Sequence, residues 1–224
     1  MTSIERPTTL TALVAERLRA DILSEKLGPG QHLRQNDVAN AYGVSSTPVR
    51  EALAVLERDG LVVVHPHRGA TIVEPTIEDL RELYEIRTRL ECFAIELACA
   101  NPAPDLGPIR APLDQMAELD PEDRATYIAL NSTFHEQMYA LANRPRLERL
   151  ITDLRDASAV YLTLLVEFTS DPAQSQRDHE AIFAGLSERD ARKASSALAA
   201  HLNHTVEQAE LLFERQADDN PHAS

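Results

Sequence analysis

The chain has 224 residues, is 43% hydrophobic but only 4% aromatic, and carries a formal net charge of -14. That length suits two domains of modest size, with cores built mainly of Leu, Ala, Ile and Val. No apolar run approaches the roughly 18 residues of a membrane span, and MTSIERPTTL lacks the apolar core of a signal peptide, so a soluble, cytoplasmic protein is expected.

Charge is divided unevenly. Residues 1–75 hold 8 Lys/Arg against 9 Asp/Glu, a net of -1, whereas residues 76–224 hold 14 against 27, a net of -13. The acidic whole argues against non-specific nucleic-acid binding, yet the first segment is close to neutral, and arginines there can meet phosphates. Cys92 and Cys99 lie in one helix-patterned segment, roughly 10 Å apart at about 1.5 Å per residue. That exceeds the ~7 Å limit for a disulfide. They read as small buried residues in a reducing compartment.

Leu10, Leu13, Val14, Leu18 and Ile22 recur at helical spacing from Leu10 to Lys26, and Gly28-Pro29-Gly30 ends that helix. A short helix is predicted for Asn36–Tyr42, with Val38 and Ala39 inward, and Gly43 is placed to make a turn. The next helix runs from Ser46 to Asp59, with Val49, Leu53 and Leu56 facing the core and Gly60 stopping it. LVVVHPHRGATIVEP then reads as two short β-branched strands around a turn at Pro66–Gly69. This order is the plan of a winged helix-turn-helix.

Pro75-Thr76 marks the boundary, giving predicted domains 1–75 and 76–224; Thr76 is placed to cap a helix with Glu78 and Asp79 in its first turn. Helices are predicted at 77–100, 105–119, 122–143, 146–168, 173–189 and 190–216, separated by NPAPD, DPED, NRP, SDP and ERD. Pro108 and Pro112 weigh against the helix at 105–119. The expected fold is therefore mainly α: an N-terminal winged helix-turn-helix followed by an all-α helical bundle.

GVSSTPVREAL, residues 43–53, carries candidate chemistry. Ser45, Ser46 or Thr47 can cap the helix, and Pro48 falls in the first turn, where a backbone N–H lacks a partner anyway. Small hydroxyl side chains there also suit close approach to a phosphate or base edge. Arg50 lies on the face opposite Val49 and Leu53. Taken alone, the stretch fits an ordinary capped helix with a solvated arginine equally well.

Its surroundings resemble the DNA-binding domain of the GntR family, in its FadR-like branch. Gly43, Val44, Ser45, Thr47, Pro48, Val49, Arg50, Glu51, Ala52, Leu53, Gly60, Leu61, Val62, Arg68 and Gly69 stand at matching positions. The resemblance implies a recognition helix entering the major groove of double-stranded DNA. Two DNA-contacting positions depart from the family, which commonly has arginine where this chain has Asn36 and Ser46. Losing both cations implies weaker phosphate binding or an altered operator, with Arg34 as the compensating charge. His67, Arg68 and Gly69 match the wing tip, which in the family approaches the minor groove.

LYEIRTRLECFAIELA (83–98), NSTFHEQMYALANRPRL (131–147) and RDHEAIFAGLSERDARKASSALAAHL (177–202) resemble the FCD effector domain of the same branch. Its larger group binds a divalent metal through an Asp and three His. The residues support a site independently. Asn131 and His135 share a helix face with Ile128, Met138 and Ala142; His179 shares one with Ile182, Phe183 and Leu186; His201 lies with Leu198 and Leu202. Polar groups on apolar stripes need partners. Three inward histidines from separate helices can converge on a cation such as zinc or nickel, or each can be a hydrogen-bonded core residue. Asn131 stands where the metal-binding group usually has Asp, so it is a weaker donor. His204, one turn after His201, reads as solvated or as supporting a ligand.

Arg87 shares its face with Leu83, Leu90 and Ala94. It pairs with Glu91 or snorkels to water, or it holds a carboxylate effector by a bidentate contact, as the matching family position implies. The leading expectation is thus a homodimeric transcription regulator, a repressor, reading an inverted-repeat operator under control of a small organic acid. A metal-dependent hydrolase using the histidines, and a DNA-binding protein with a purely structural helical domain, are the alternatives. HEQMY (135–139) begins like the HExxH zinc motif, but Tyr139 occupies the place of its second histidine.

Overall fold

The computed structural model describes residues 9–24, 26–66, 68–74, 76–102, 104–120, 122–165 and 172–219. His67, Pro75 and much of the SDP connection lie outside the described residues. The chain divides into two compact units, Met1–Thr76 with Ala159–Leu164 and Ile77–Ser158 with Leu165–Ser224.

In the first unit the order is α1 (Leu10–Leu23), β1 (His32–Leu33), α2 (Gln35–Tyr42), α3 (Ser46–Arg58), β2 (Val62–His65) and β3 (Gly69–Ile72). Leu18, Val49, Leu53, Leu56 and Leu61 are fully buried between the helices and the sheet, each contributing about 1.5–3 kcal/mol by leaving water. Gly43 closes α2 in the left-handed conformation, with φ 67°, and opens the turn into α3.

Three details differ from the sequence reading. Strand β1 has only two residues, too few for a periodic signal, and it pairs with β3 through His32↔Thr71 and Leu33↔Ala70, so the sheet order is β1-β3-β2. Helix α1 stops at Leu23 rather than Lys26, and the Ser24 hydroxyl donates to the Ala20 carbonyl at 2.7 Å. Leu10 and Leu13 are half exposed, at 51% and 50%, while Val14, Ala15, Leu18 and Ile22 form the inward face.

Then come α4 (Ile77–Cys99), α5 (Gly107–Glu118), α6 (Arg124–Ala140), α7 (Pro145–Leu165), α8 (Pro172–Ser187) and α9 (Ala191–Asp219), all in the second unit except Ala159–Leu164 of α7, which group with the first. Helix α9 packs against α4 and α8, α5 against α6 and α8, and α4 against α6. Glu78 and Asp79 occupy the first turn of α4, where they complement the helix dipole. Pro108 sits in the first turn of α5 and Pro112 inside it. Pro112 is near enough to the start that the bond it forgoes, to the Pro108 carbonyl, belongs to the first turns. Ile128, expected on the inward stripe of α6, is 66% exposed, and burial of that stripe starts with Phe134 and His135. No helix among the described residues is long and apolar enough to cross a membrane.

Candidate functional site

The first unit carries a set of unpaired cations. Arg17 and Lys26 pair with Asp21, and Arg19 and Arg58 pair with Asp59. Among the described residues no carboxylate pairs with Arg34, Arg50 or Arg68, and all three are exposed. The arginines left without a partner are therefore those on α3, at the start of α2 and at the wing.

Ser45 is the N-cap residue of α3, but its side chain makes no capping hydrogen bond, contrary to the simplest use of that hydroxyl. Ser45, Ser46 and Thr47 are exposed, while Pro48 and Val49 are buried beneath them. Their hydroxyls remain available beside Arg50. Arg34, Asn36, Arg68 and Gly69 come together, with His32, Gln35 and Asp37, around a concavity of about 590 Å³. Sequence reasoning missed His32. Its Nε2 lies 2.8 Å from the Arg68 carbonyl and its Nδ1 3.3 Å from the Thr71 hydroxyl, which also meets His65 Nε2 at 2.9 Å. A carbonyl only accepts, so Nε2 donates and the imidazole ties β1 to the wing. Gly69 is pinned from the same side: with φ 101°, any Cβ there would stand 2.1 Å from the Leu33 carbonyl oxygen.

Inside the second unit, α6, α8 and α9 bring His135, His179 and His201 together, with one ligand-type nitrogen of each within 4.8 Å of the others. Ring centroids are 5.2 Å apart for His135–His179, 4.7 Å for His179–His201 and 5.4 Å for His135–His201. Asn131 lies one turn before His135 and is half-buried.

The surrounding bonds determine which nitrogens carry protons. Glu91 is fully buried; it accepts from Arg87 Nε at 2.8 Å and from the Tyr139 hydroxyl. With its only proton committed to a carboxylate, the Tyr139 oxygen accepts from His135 Nδ1, 3.2 Å away. Neutral His135 then has its lone pair on Nε2. On the other side Asp178 receives His201 Nδ1 at 3.4 Å, His204 Nδ1 at 3.0 Å and the Gln174 amide at 2.7 Å. A carboxylate accepts, so His201 also keeps its lone pair on Nε2. His179 is fully buried and, among the described residues, neither ring nitrogen is hydrogen-bonded. Such an orphan costs roughly 1–3 kcal/mol unless something else binds it.

Electrostatics keep the His135 and His179 rings uncharged. Burial, then the charge of Arg155, holds His135 well below the ordinary histidine range. Burial first and His201 second push His179 down to about 3. Burial opposes ionisation of Asp178, but the bonds from His201 and His204 hold it below the usual carboxylate range. Three converging imidazoles, each able to offer a nitrogen lone pair, are a donor set for a borderline cation. Nitrogens within 4.8 Å of one another approach the spacing of ligands that sit about 2.0–2.1 Å from one ion. The residues fit a metal.

Arg87 is buried and engaged by Glu91, with its guanidinium carbon 4.4 Å from the centre of the Tyr84 ring. Burial, the largest single influence, would depress its pKa; the charge and hydrogen bond of Glu91, with Tyr84 and Tyr139, together outweigh it and raise the pKa. Glu136, second residue of the HEQMY motif, is exposed and accepts from Ser132. Cys92 and Cys99 are free thiols. Asp178 and Arg155, both missed by sequence reasoning, and Glu91, noted there only as a partner for Arg87, surround the triad. Only the i,i+4 spacing of Arg87 and Glu91 gave a signal for any of them.

A winged helix whose exposed arginines have no carboxylate partner among the described residues, followed by a helical unit with a buried histidine cluster, is the architecture of a DNA-binding regulator. Residues 10–72 match the model of bacterial regulatory proteins of the gntR family, and residues 82–204 match the FCD domain. The chain belongs to the GntR family, with the FCD domain as its second half. It is a transcriptional regulator. The HTH-type transcriptional regulator YdhC of Bacillus subtilis (strain 168) is 26% identical over 216 residues, covering 94% of this chain and 96% of that protein. The HTH-type transcriptional repressor RspR of Escherichia coli (strain K12) is 25% identical, over 90% of this chain and 89% of that one. The solved structure of E. coli McbR/YncC superposes with a TM-score of 0.69 at 25% identity, covering 92% of this chain and all (100%) of that chain.

Proposed function

We propose that this regulator is a repressor that binds an inverted-repeat operator as a homodimer and responds to a small organic acid held beside a metal in its helical unit. Arg50, Ser45, Ser46 and Thr47 present the face that reads the major groove. Arg34, Asn36, His67, Arg68 and Gly69 form the flanking contacts to backbone and minor groove. His135, His179 and His201 hold one zinc or nickel ion, and Asn131 supplies a weak neutral donor. A metal held by these residues would link helices α6, α8 and α9 and would supply a Lewis-acidic centre for the carboxylate of the acid.

One observation carries this reading: among the described residues His179 is buried with both nitrogens unpartnered, between His135 and His201, whose Nδ1 atoms are engaged by the Tyr139 hydroxyl and the Asp178 carboxylate so that each leaves Nε2 free. A ligand-free core offers no reason for that arrangement. Arg87 belongs to the same network through Glu91 and Tyr139, and in this reading it orients the histidine wall from behind. The hydrolase alternative lacks support, because Glu136 is exposed and the two carboxylates beside the triad, Glu91 and Asp178, are both engaged.

Elemental analysis of untagged protein tests the reading. Near-stoichiometric zinc or nickel uptake, lost in His179→Ala, is expected. A protein that takes up no metal at micromolar supply, with a melting temperature untouched by chelator, leaves the histidines as core residues only.

A further inference from the structure

Arg155 lies on α7, one ring away from the triad. Its guanidinium carbon is 5.8 Å from the centre of the Tyr139 ring, and that ring stacks on His135 with centroids 5.9 Å apart. Nη1 of Arg155 is buried and, among the described residues, has no hydrogen-bond partner. The carboxylates that could have taken it are committed: Glu91 to Arg87 and Tyr139, Asp178 to His201, His204 and Gln174. A guanidinium is always charged and only donates, so a buried, unanswered Nη1 calls for an anion.

Charge fixes what kind. Arg87 and Glu91 neutralise one another, and ligand imidazoles are neutral. A divalent cation on the triad and Arg155 then stand against the single negative charge of Asp178. Where a carboxylate beside His135 would have lowered that surplus, Asn131 contributes nothing. Two positive charges remain.

We propose that Arg155, rather than Arg87, is the residue that grips the effector, and that the effector is a dicarboxylate, one carboxylate on the metal and the other on Arg155. This rests on the metal-centre reading above. The planar fork of arginine matches a carboxylate in two parallel bonds, and two separated anionic groups answer two separated cationic ones. A monocarboxylate of equal length reaches only one of them.

Calorimetric titration tests this in two stages, using the full chain. Zinc is titrated first, with no acid present; then the zinc-loaded protein receives succinate, butyrate or inorganic phosphate. Succinate should bind about 10- to 100-fold more tightly than butyrate, the range for one charge-assisted contact. Arg155→Met should retain zinc uptake and lose that preference, Arg155→Lys should recover part of it, and Asn131→Asp should narrow it. Equal affinity for succinate and butyrate, no binding of either, or a preference unchanged in Arg155→Met overturns the assignment while leaving the metal centre intact. Phosphate binding more tightly than succinate overturns the carboxylate class. Absent zinc uptake in the first stage removes the charge surplus and overturns both readings.

Discussion

Arg87 Nε and Glu91 Oε1 lie 2.8 Å apart, one helical turn from each other on α4, with the carboxylate entirely removed from solvent. A buried pair of this kind is weak evidence of net stability, but removing one partner strands the other. Arg87→Ala should therefore lower unfolding free energy by about 3–5 kcal/mol, and the double change Arg87→Leu with Glu91→Leu should cost distinctly less. Urea unfolding of the metal-free protein measures both. If Arg87→Ala is as stable as the parent and loses only its effector response, Arg87 is a ligand contact and the pair is incidental.

The unpaired arginines of the first unit should carry DNA affinity. Arg50→Ala is expected to weaken specific operator binding by about 1–3 kcal/mol, tenfold or more. Arg34→Ala and Arg68→Ala should weaken binding more evenly across sequences and flatten its salt dependence. Ser46→Arg adds a cation on the exposed face of α3 and should steepen that dependence. Fluorescence anisotropy over a salt series separates these effects; an Arg50→Ala protein with undiminished specificity would place sequence reading elsewhere.

Much of this was legible in the sequence because helical periodicity reports directly on inward faces. Val49, Leu53 and Leu56 on α3 and Leu198, His201 and Leu202 on α9 follow that rule. Asn36, Ser46 and Arg50 could be singled out because a family motif gave their neighbours fixed positions. Strand β1 was not legible, since two residues have no period and its pairing with β3 depends on chain folded back from 37–39 positions away. Asp178 and Arg155 escaped for a related reason. Each looks like a solvated charge on its own helix, and only the packing of α4, α6, α8 and α9 gives it a buried partner or denies it one.

Metal affinity should follow the donor set. His179→Ala removes a ligand without breaking a hydrogen bond, since its nitrogens have none among the described residues, and is expected to abolish micromolar zinc binding. Asn131→Asp supplies a charged oxygen one turn from His135 and should tighten zinc binding. A competition titration against a chromogenic chelator reads both changes. Unchanged affinity in Asn131→Asp would remove Asn131 from the coordination sphere.

Acid should destabilise the metal-free protein through the same histidines. His179 titrates at about 3 when folded, because of burial and then His201, against 6.5 for the ordinary side chain, so the unfolded chain binds the proton first. Its contribution to stability is complete above about 6.5 and is lost as pH falls from there toward 3. His135, shifted the same way by burial and Arg155, adds to the slope. Urea midpoints across that window should fall less steeply in His179→Asn than in the parent. Parallel slopes would mean that His179 is solvated in the folded state.

The most direct test of the account is selection of binding sites from random duplex DNA, with the selected duplex then titrated in the presence of zinc and succinate. The account predicts one enriched inverted repeat, bound by the parent, bound at least tenfold more weakly by Arg50→Ala, and released by zinc with succinate only while Arg155 is intact. Failure to enrich any repeat, or an operator affinity indifferent to zinc and succinate, would contradict it.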